Sequence, residues 1–172
     1  MKLTIEEKER LEAIYQKFLN DEKVKRMIEV PMHRGSNCYL HSFKVAKKAI
    51  RNAIRFYRKI NLDTVLISSI LHDYYLYDWR VDKEKRRHHG SRHPGIAADH
   101  AKEDFDISET VQKSIRSHMW PLGFTHFPNN REALVLSYSD KDIAIREFLT
   151  SKKHKKKKEQ KYYDYISTLF DD

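Results

Sequence analysis

The sequence predicts an all-α protein that forms one domain, residues 1–172, from about seven helices. A length of 172 residues is typical of a single domain. The chain contains only 4 Gly and 4 Pro, whereas β-sandwiches and barrels need many more turn residues. Apolar residues instead recur every three to four positions along most of the chain, which is typical of amphipathic helices.

The first half of the chain is predicted to contain three helices. A capping-box pattern opens the first helix, which can continue to about Val30, because Pro31 disfavours helix in the residue before it. After a connector at 33–37, a second helix runs to about Lys59. The third helix, Thr64–Tyr75, is apolar on nearly every side and is therefore predicted to be central and buried.

The second half is predicted to combine helices with two longer loops. Residues 79–92 are polar and basic, and their length favours a lid or binding loop. Pro94 suits the first position of a helix that ends near Phe105. A second loop holds Pro121 and Pro128. Three further helical segments are predicted, at about 107–119, 131–149 and 162–170.

The net charge of +9 is concentrated near the end of the chain. Residues 152–161 contain seven Lys and one Glu, and so carry +6 of that total. A block of like charges is usually a solvated linker or the flank of a helix, although it can also hold phosphates, nucleic acid or an acidic membrane. No aromatic residue interleaves with the lysines before Tyr162, so nucleic acid is not the expected partner.

Cysteine content and hydropathy predict a soluble, cytoplasmic protein. The single Cys38 excludes a disulfide framework within the chain, which favours a reducing compartment. The most apolar stretch, Val65–Leu71, is far shorter than the ~20 residues that a membrane span requires. Acidic residues follow the first methionine closely, so no signal peptide is expected and no membrane partner is predicted.

Chemically informative residues interrupt the apolar faces of the predicted helices. His72 and Asp73 end the most buried helix, and His41, His118 and Asp140 share faces with apolar residues. Burying such groups costs free energy unless they are paired or bind a cation. Each one alone fits a satisfied core histidine or an ion-paired carboxylate. Together they indicate a metal site, and imidazoles with carboxylates suit iron, manganese, cobalt, zinc or nickel.

The order of these residues resembles the HD superfamily of metal-dependent phosphohydrolases, whose signature is H…HD…D on a helical core. The "LHD" that ends the buried helix and the segment "SYSDKDIA" are similar to the motifs of that family. The resemblance covers about residues 33–149 and excludes the basic tract and C-terminal helix of 150–172. It implies an HD-type helical bundle in which Asp73 can bridge to a second metal. By resemblance, the ligands of the first metal are His41, His72, Asp73 and Asp140.

Two further histidines resemble those of the dinuclear branch of this family. His93 in "RHPGIA" and His118 in "IRSHMWP" match the positions that complete a second metal site. That branch includes HD-GYP phosphodiesterases and small bacterial diadenosine tetraphosphate hydrolases. No GYP motif follows His118, so cyclic di-guanylate is not the expected substrate. His93 could alternatively cap a helix that starts at Pro94, which would leave a mononuclear nucleoside monophosphate phosphatase.

The resemblance implies an enzyme that uses one or two divalent transition-metal ions. The expected reaction is hydrolysis of a phosphoester or phosphoanhydride in a small nucleotide-like or dinucleotide-like substrate, with Asp73 as the catalytic residue. Basic residues near the predicted site would meet the negative charge of the substrate. They are Arg34, Arg86, Arg87, His89 and Lys141. The alternative is a non-catalytic module that binds a metal or a nucleotide.

Overall fold

The computed structural model describes residues 2–32, 36–81, 83–122, 126–149 and 155–170. No strand occurs within these ranges, and eight α-helices do, so the all-α prediction is confirmed with a helix count close to the expected seven. The helices are α1 (Ile5–Asn20), α2 (Glu22–Lys25), α3 (Cys38–Phe56), α4 (Leu62–Leu71), α5 (Lys83–Phe105), α6 (Glu109–Ser117), α7 (Arg131–Leu149) and α8 (Lys155–Ile166). No described helix is both long and apolar enough to span a membrane.

The N-terminal region has a capping box, as predicted, but it is not one continuous helix. The Thr4 side chain accepts from the Glu7 amide at 3.1 Å, and the Glu7 carboxylate accepts from the Thr4 amide at 2.8 Å. α1 ends at Asn20 because the Asp21 carboxylate accepts from the amides of Lys23 and Val24 and so caps a new helix. A 3₁₀ turn, Arg26–Glu29, then completes the region for which one helix was predicted.

The centre of the molecule is α4, which packs against α1, α3, α6 and α7. Eight of its ten residues are buried, including Val65, Leu66 and Ile70. The Asn61 side chain caps its first turn by accepting from the Thr64 amide at 3.0 Å. The predicted central, buried helix is therefore confirmed, although it ends at Leu71 rather than Tyr75. His72 and Asp73 follow directly and so lie in the middle of the bundle.

α5 begins earlier than predicted. The expectation of a lid or binding loop at 79–92 is wrong from Lys83 onward, because α5 runs from Lys83 through Pro94 to Phe105. Pro94 removes the backbone donor to the carbonyl of Gly90. Gly90 is exposed, so water can satisfy that carbonyl and the helix continues. His93 is thus a buried residue inside the helix rather than its cap.

The C-terminal segment packs against the rest of the bundle. α8 begins at Lys155, so the second half of the basic tract is helical rather than a linker. Ile166 and Leu169 are buried, and the Tyr15 hydroxyl donates to the Ile166 carbonyl at 2.8 Å. Lys47 donates to the carbonyls of Tyr165 and Thr168, both at 2.8 Å. These contacts hold α8 against α3 and α1.

Candidate metal centre

Six side chains from five helical segments converge on one buried point. His41 lies on α3, His93 on α5 and Asp140 on α7, while His72 and His118 directly follow α4 and α6. Each of these residues is at most 8% exposed. Their ligand atoms form three overlapping groups, and within each group the atoms lie within 4.8 Å of one another. The groups are His41–His72–Asp73, His72–His118–Asp140 and Asp73–His93–His118.

Three of the imidazoles are oriented by the carbonyls of their own helices. His72 Nδ1 lies 2.9 Å from the Ser69 carbonyl, and His118 Nδ1 lies 2.7 Å from the Ile115 carbonyl. His93 Nδ1 lies 2.8 Å from the His89 carbonyl. A carbonyl oxygen only accepts, so each Nδ1 must donate, and the neutral ring then presents its Nε2 lone pair to the cluster. This orientation is typical of histidines that bind metals.

A carboxylate orients the fourth imidazole. His41 Nδ1 lies 2.9 Å from Glu147 Oε2, and the other Glu147 oxygen accepts from Lys44 Nζ at 2.9 Å. Both the Glu147 and Lys44 side chains are largely buried. Glu147 was not predicted from the sequence. The available signal was its position seven residues after Asp140, which is two helical turns and therefore the same face of α7.

Asp73 lies between two halves of the cluster. Its Oδ2 is 3.3 Å from His72 Nε2, and its Oδ1 is 3.4 Å from His93 Nε2 and 3.8 Å from His118 Nε2. In the half of the cluster that contains His72, Asp140 Oδ1 is 3.0 Å from His41 Nε2 and 3.6 Å from His72 Nε2. The two oxygens of Asp73 therefore face different sets of imidazoles. A carboxylate in this position can bridge two cations.

Two observations indicate that the cluster could hold a metal ion. His72 Nε2 is buried and makes no hydrogen bond of good geometry among the described residues, although oxygens of Asp73 and Asp140 lie 3.3 and 3.6 Å away. His93 Nε2 and His118 Nε2 face each other at 3.0 Å, although each ring already donates through Nδ1. Two lone pairs at that distance repel unless a proton or a metal cation lies close to them. Imidazole nitrogens and carboxylate oxygens are suitable ligands for such a cation.

The charges of the metal-free cluster are strongly coupled. Burial lowers the pKa of His41, but Glu147 and Asp140 outweigh it and raise that pKa to about 9. Burial likewise opposes protonation of His72, yet Asp73 and Asp140 raise its pKa to about 10. These imidazolium charges in turn hold the pKa values of Asp73 and Asp140 well below normal, although burial raises them. Without metal, protons therefore supply the positive charge that the two carboxylates require.

The pKa of His118 shifts in the opposite direction from those of His41 and His72. Burial, together with the neighbouring His93 and His72 imidazoles, lowers the pKa of His118 to about 3. The His118 ring is therefore neutral at physiological pH, and its Nε2 lone pair is free to bind a metal without first losing a proton.

A cavity of about 240 Å³ opens beside the cluster. Its wall includes Trp79, Tyr75, Leu122 and Met119, which supply an apolar and partly aromatic surface. The Trp79 and His89 rings are stacked with centroids 5.1 Å apart, and His89 stacks in turn on His93 at 4.6 Å. His41, Asp73, His93, His118 and Asp140 also line the cavity. A small molecule in this space would therefore contact the predicted ligands directly.

The basic residues predicted to bind substrate lie in different places. His89 and Lys141 line the cavity, and Lys141 Nζ donates to the His118 carbonyl at 2.8 Å. Burial lowers the pKa of Lys141, while Asp140 partly offsets that effect. Arg86 and Arg87 are exposed on α5, and neither of them lines the cavity. Arg34 lies outside the described residues.

Comparisons with known proteins found no matching protein-family model, no matching curated protein and no matching solved structure. The observations that bear on function are therefore the chemistry of the buried donor set and of the cavity beside it.

Proposed function

We propose that this protein is a divalent-metal-dependent phosphohydrolase that cleaves a phosphoester or phosphoanhydride bond in a nucleotide-like substrate. The observation that carries the proposal is the position of Asp73, whose two oxygens face two different sets of buried imidazoles. A first metal would be held by His41, His72, Asp73 and Asp140, and a second by Asp73, His93 and His118. The donor set suits iron, manganese, cobalt, zinc or nickel.

Divalent ions, when bound, supply Lewis acidity towards phosphoryl oxygens and water. The protein itself contributes position and charge. Lys141 Nζ is held by the Ser137 hydroxyl at 3.0 Å and the His118 carbonyl, and so places one positive charge on the cavity wall. A phosphoryl group beside the cluster would find that charge near its outer oxygens. The Trp79 ring offers a flat apolar surface for the organic part of the substrate.

The resemblance to the HD superfamily supports the same reaction class, because its H…HD…D signature falls on residues that converge in space. Two alternatives make different predictions. A mononuclear nucleoside monophosphate phosphatase would not need His93 and His118 as ligands. A non-catalytic module would bind metal or nucleotide without turnover.

The first prediction is that replacing Asp73 abolishes hydrolysis. Wild type loaded separately with Mn²⁺, Fe²⁺, Co²⁺, Zn²⁺ or Ni²⁺ is assayed on p-nitrophenyl phosphate, nucleoside monophosphates and dinucleoside polyphosphates. Asp73→Ala removes a ligand and a negative charge between the two sites. Its loss of kcat should therefore far exceed the ~10–100-fold that is typical when a hydrogen-bond partner of a ligand is removed.

The matched control is Asp63→Ala on the same segment of chain. Asp63 pairs with Arg10 at 3.3 Å and is not a member of the cluster, so its loss should cost at most about 1 kcal/mol of stability and leave turnover intact. A metal-loaded wild type that is inert on every substrate would contradict the proposal and favour the non-catalytic module. Full activity in Asp73→Ala would contradict it equally.

Metal stoichiometry separates the dinuclear from the mononuclear form. Elemental analysis of the purified wild type should give close to two metals per chain, and His118→Ala should reduce that number towards one. If His93→Ala and His118→Ala both leave the wild-type stoichiometry unchanged, the mononuclear alternative is favoured.

A further inference from the structure

A second cavity is lined in part by Glu147, the residue that also contacts His41 of the candidate metal centre. This groove, of about 270 Å³, runs between α3, α7 and α8. Its lining combines two tyrosine rings, one aliphatic side chain and four charged groups. They are Lys44, Ile143, Arg146, Glu147, Lys161, Tyr162 and Tyr165. None of these residues is one of the proposed metal ligands.

The groove is positively charged. Lys44, Arg146 and Lys161 contribute three positive charges against the single negative charge of Glu147. Both Glu147 oxygens are engaged, one with Lys44 and one with His41. Lys44 and Glu147 therefore offset each other, and the net positive charge of the lining comes from Arg146 and Lys161. Arg146 shares Asp142 with Lys48, which leaves those three groups with one net positive charge.

The aromatic wall of the groove is held in place. Tyr162 and Tyr165 are three residues apart on α8 and therefore lie on the same side of that helix. Lys44 Nζ lies 3.6 Å from the centroid of the Tyr162 ring. The hydroxyl of Tyr165 accepts from Arg51 at 2.9 Å, and its carbonyl accepts from Lys47. A preorganised ring loses little conformational entropy when a ligand packs on it.

From this combination of rings and cations we infer a second ligand site, for a nucleoside polyphosphate, in the groove between α3, α7 and α8. The base would pack against the tyrosine wall, since aromatic rings stack on any base. The phosphates would lie at the rim, where Arg146 and Lys161 are exposed. This site is distinct from the metal centre and does not depend on the proposed hydrolysis.

The test measures ATP binding to the metal-free protein by isothermal titration calorimetry in excess EDTA, which removes metal-dependent binding at the other site. Wild type should bind ATP. Arg146→Glu combined with Lys161→Glu should weaken that binding at least about tenfold, because two attractive charges become repulsive. The control is Lys25→Glu with Lys113→Glu, which changes the net charge equally on α2 and α6 and should leave the affinity within about twofold.

Two further measurements test the aromatic wall and the class of ligand. Tyr162→Ala should weaken ATP binding about tenfold, whereas Tyr162→Phe should retain it, because the ring rather than the hydroxyl contacts the base. Adenosine and tripolyphosphate should each bind at least about tenfold more weakly than ATP. The inference is overturned if the groove pair and the control pair weaken ATP equally, if wild type fails to bind ATP, or if tripolyphosphate binds as tightly as ATP.

Discussion

At the scale of single residues, the geometry of the candidate centre depends on the hydrogen-bond partner of each histidine Nδ1 atom. Three carbonyls and one carboxylate occupy the four Nδ1 atoms, so the four Nε2 atoms are the ones that converge. The ring tautomers are thus fixed by the protein before any ligand arrives. Of these four partners, Glu147 is the only side chain, and it is therefore the only one that a substitution can remove directly.

We expect Glu147→Gln to weaken metal binding about 10–100-fold. Glutamine keeps one accepting oxygen, but its amide nitrogen cannot accept from His41 or Lys44, so one of the two hydrogen bonds at 2.9 Å is lost. Competition with a chelator measures the affinity. Asp142→Asn is the matched control, because Asp142 lies on the same helix and pairs with Lys48 and Arg146 instead of a histidine. Unchanged affinity in Glu147→Gln would show that its carboxylate does not support His41.

The sequence pattern predicted the members of the cluster, but it did not predict the residue that orients one of them through a hydrogen bond. His72 and Asp73 could be identified because they end a helix with apolar residues on every side, where a charged pair requires an explanation. Glu147 could not be identified in this way, because its neighbours Arg146 and Phe148 are both exposed and the end of α7 resembles an ordinary solvated surface. The spacing of seven residues from Asp140 puts Glu147 on the same face of α7, but that spacing alone does not distinguish a buried carboxylate from a solvated one.

At the scale of helices, the clearest difference between sequence and structure is α5. Its N-terminal half has few apolar residues to mark an inner face, and Pro94 normally marks a helix start. The contacts that favour the helix come instead from the folded bundle, where His89 stacks on Trp79 and His93. α3 was predictable because its apolar residues recur at helical spacing and so mark a buried face, and α4 was predictable because it is apolar on nearly every side.

The end of α8 supplies hydrogen-bond acceptors to a buried lysine on α3. Lys47 is almost fully buried, and its ammonium group is satisfied by two carbonyls at the end of α8. A buried ammonium that loses its acceptors is strongly destabilising. The last segment of the chain therefore contributes both apolar burial and the acceptors for a charge on α3.

We expect deletion of residues 150–172 to destabilise the protein by about 3–6 kcal/mol through the lost burial of Ile166 and Leu169, and by more through Lys47. Lys47→Met in the full chain leaves the carbonyls of Tyr165 and Thr168 without their donor, so it should destabilise by about 1–3 kcal/mol. In the truncated chain those two acceptors are absent, so the same substitution should cost less stability. Urea unfolding measures both, and an equal cost in the two backgrounds would contradict this role.

At the scale of the whole molecule, the cluster connects most of the bundle. Its members come from α3, α5 and α7 and from the residues that follow α4 and α6. A ligand that binds all of them favours the folded state, because the unfolded chain has no preformed site. Metal binding and global stability are therefore expected to be linked.

We expect removal of metal to lower the free energy of unfolding by about 4 kcal/mol, relative to protein kept at a free metal concentration near 1,000 times Kd. The measurement is urea unfolding of the wild type with metal and after treatment with EDTA. His72→Ala, which removes a ligand common to two of the three groups, should show a much smaller difference between the two conditions. Equal stability of the wild type in both conditions would argue against a metal at this centre.

The contact between the two ends of the chain also has a consequence for the order of events during synthesis. Tyr15 and Ile166 are hydrogen-bonded across 151 residues of sequence, and Glu12 accepts from the amides of Leu169 and Phe170. At about 5–20 residues per second, a ribosome takes roughly 8–30 s to make the intervening chain. All six members of the cluster are synthesised within that interval. The complete set of candidate metal ligands is therefore present in the chain before the segment that binds the groups on α1 has been made.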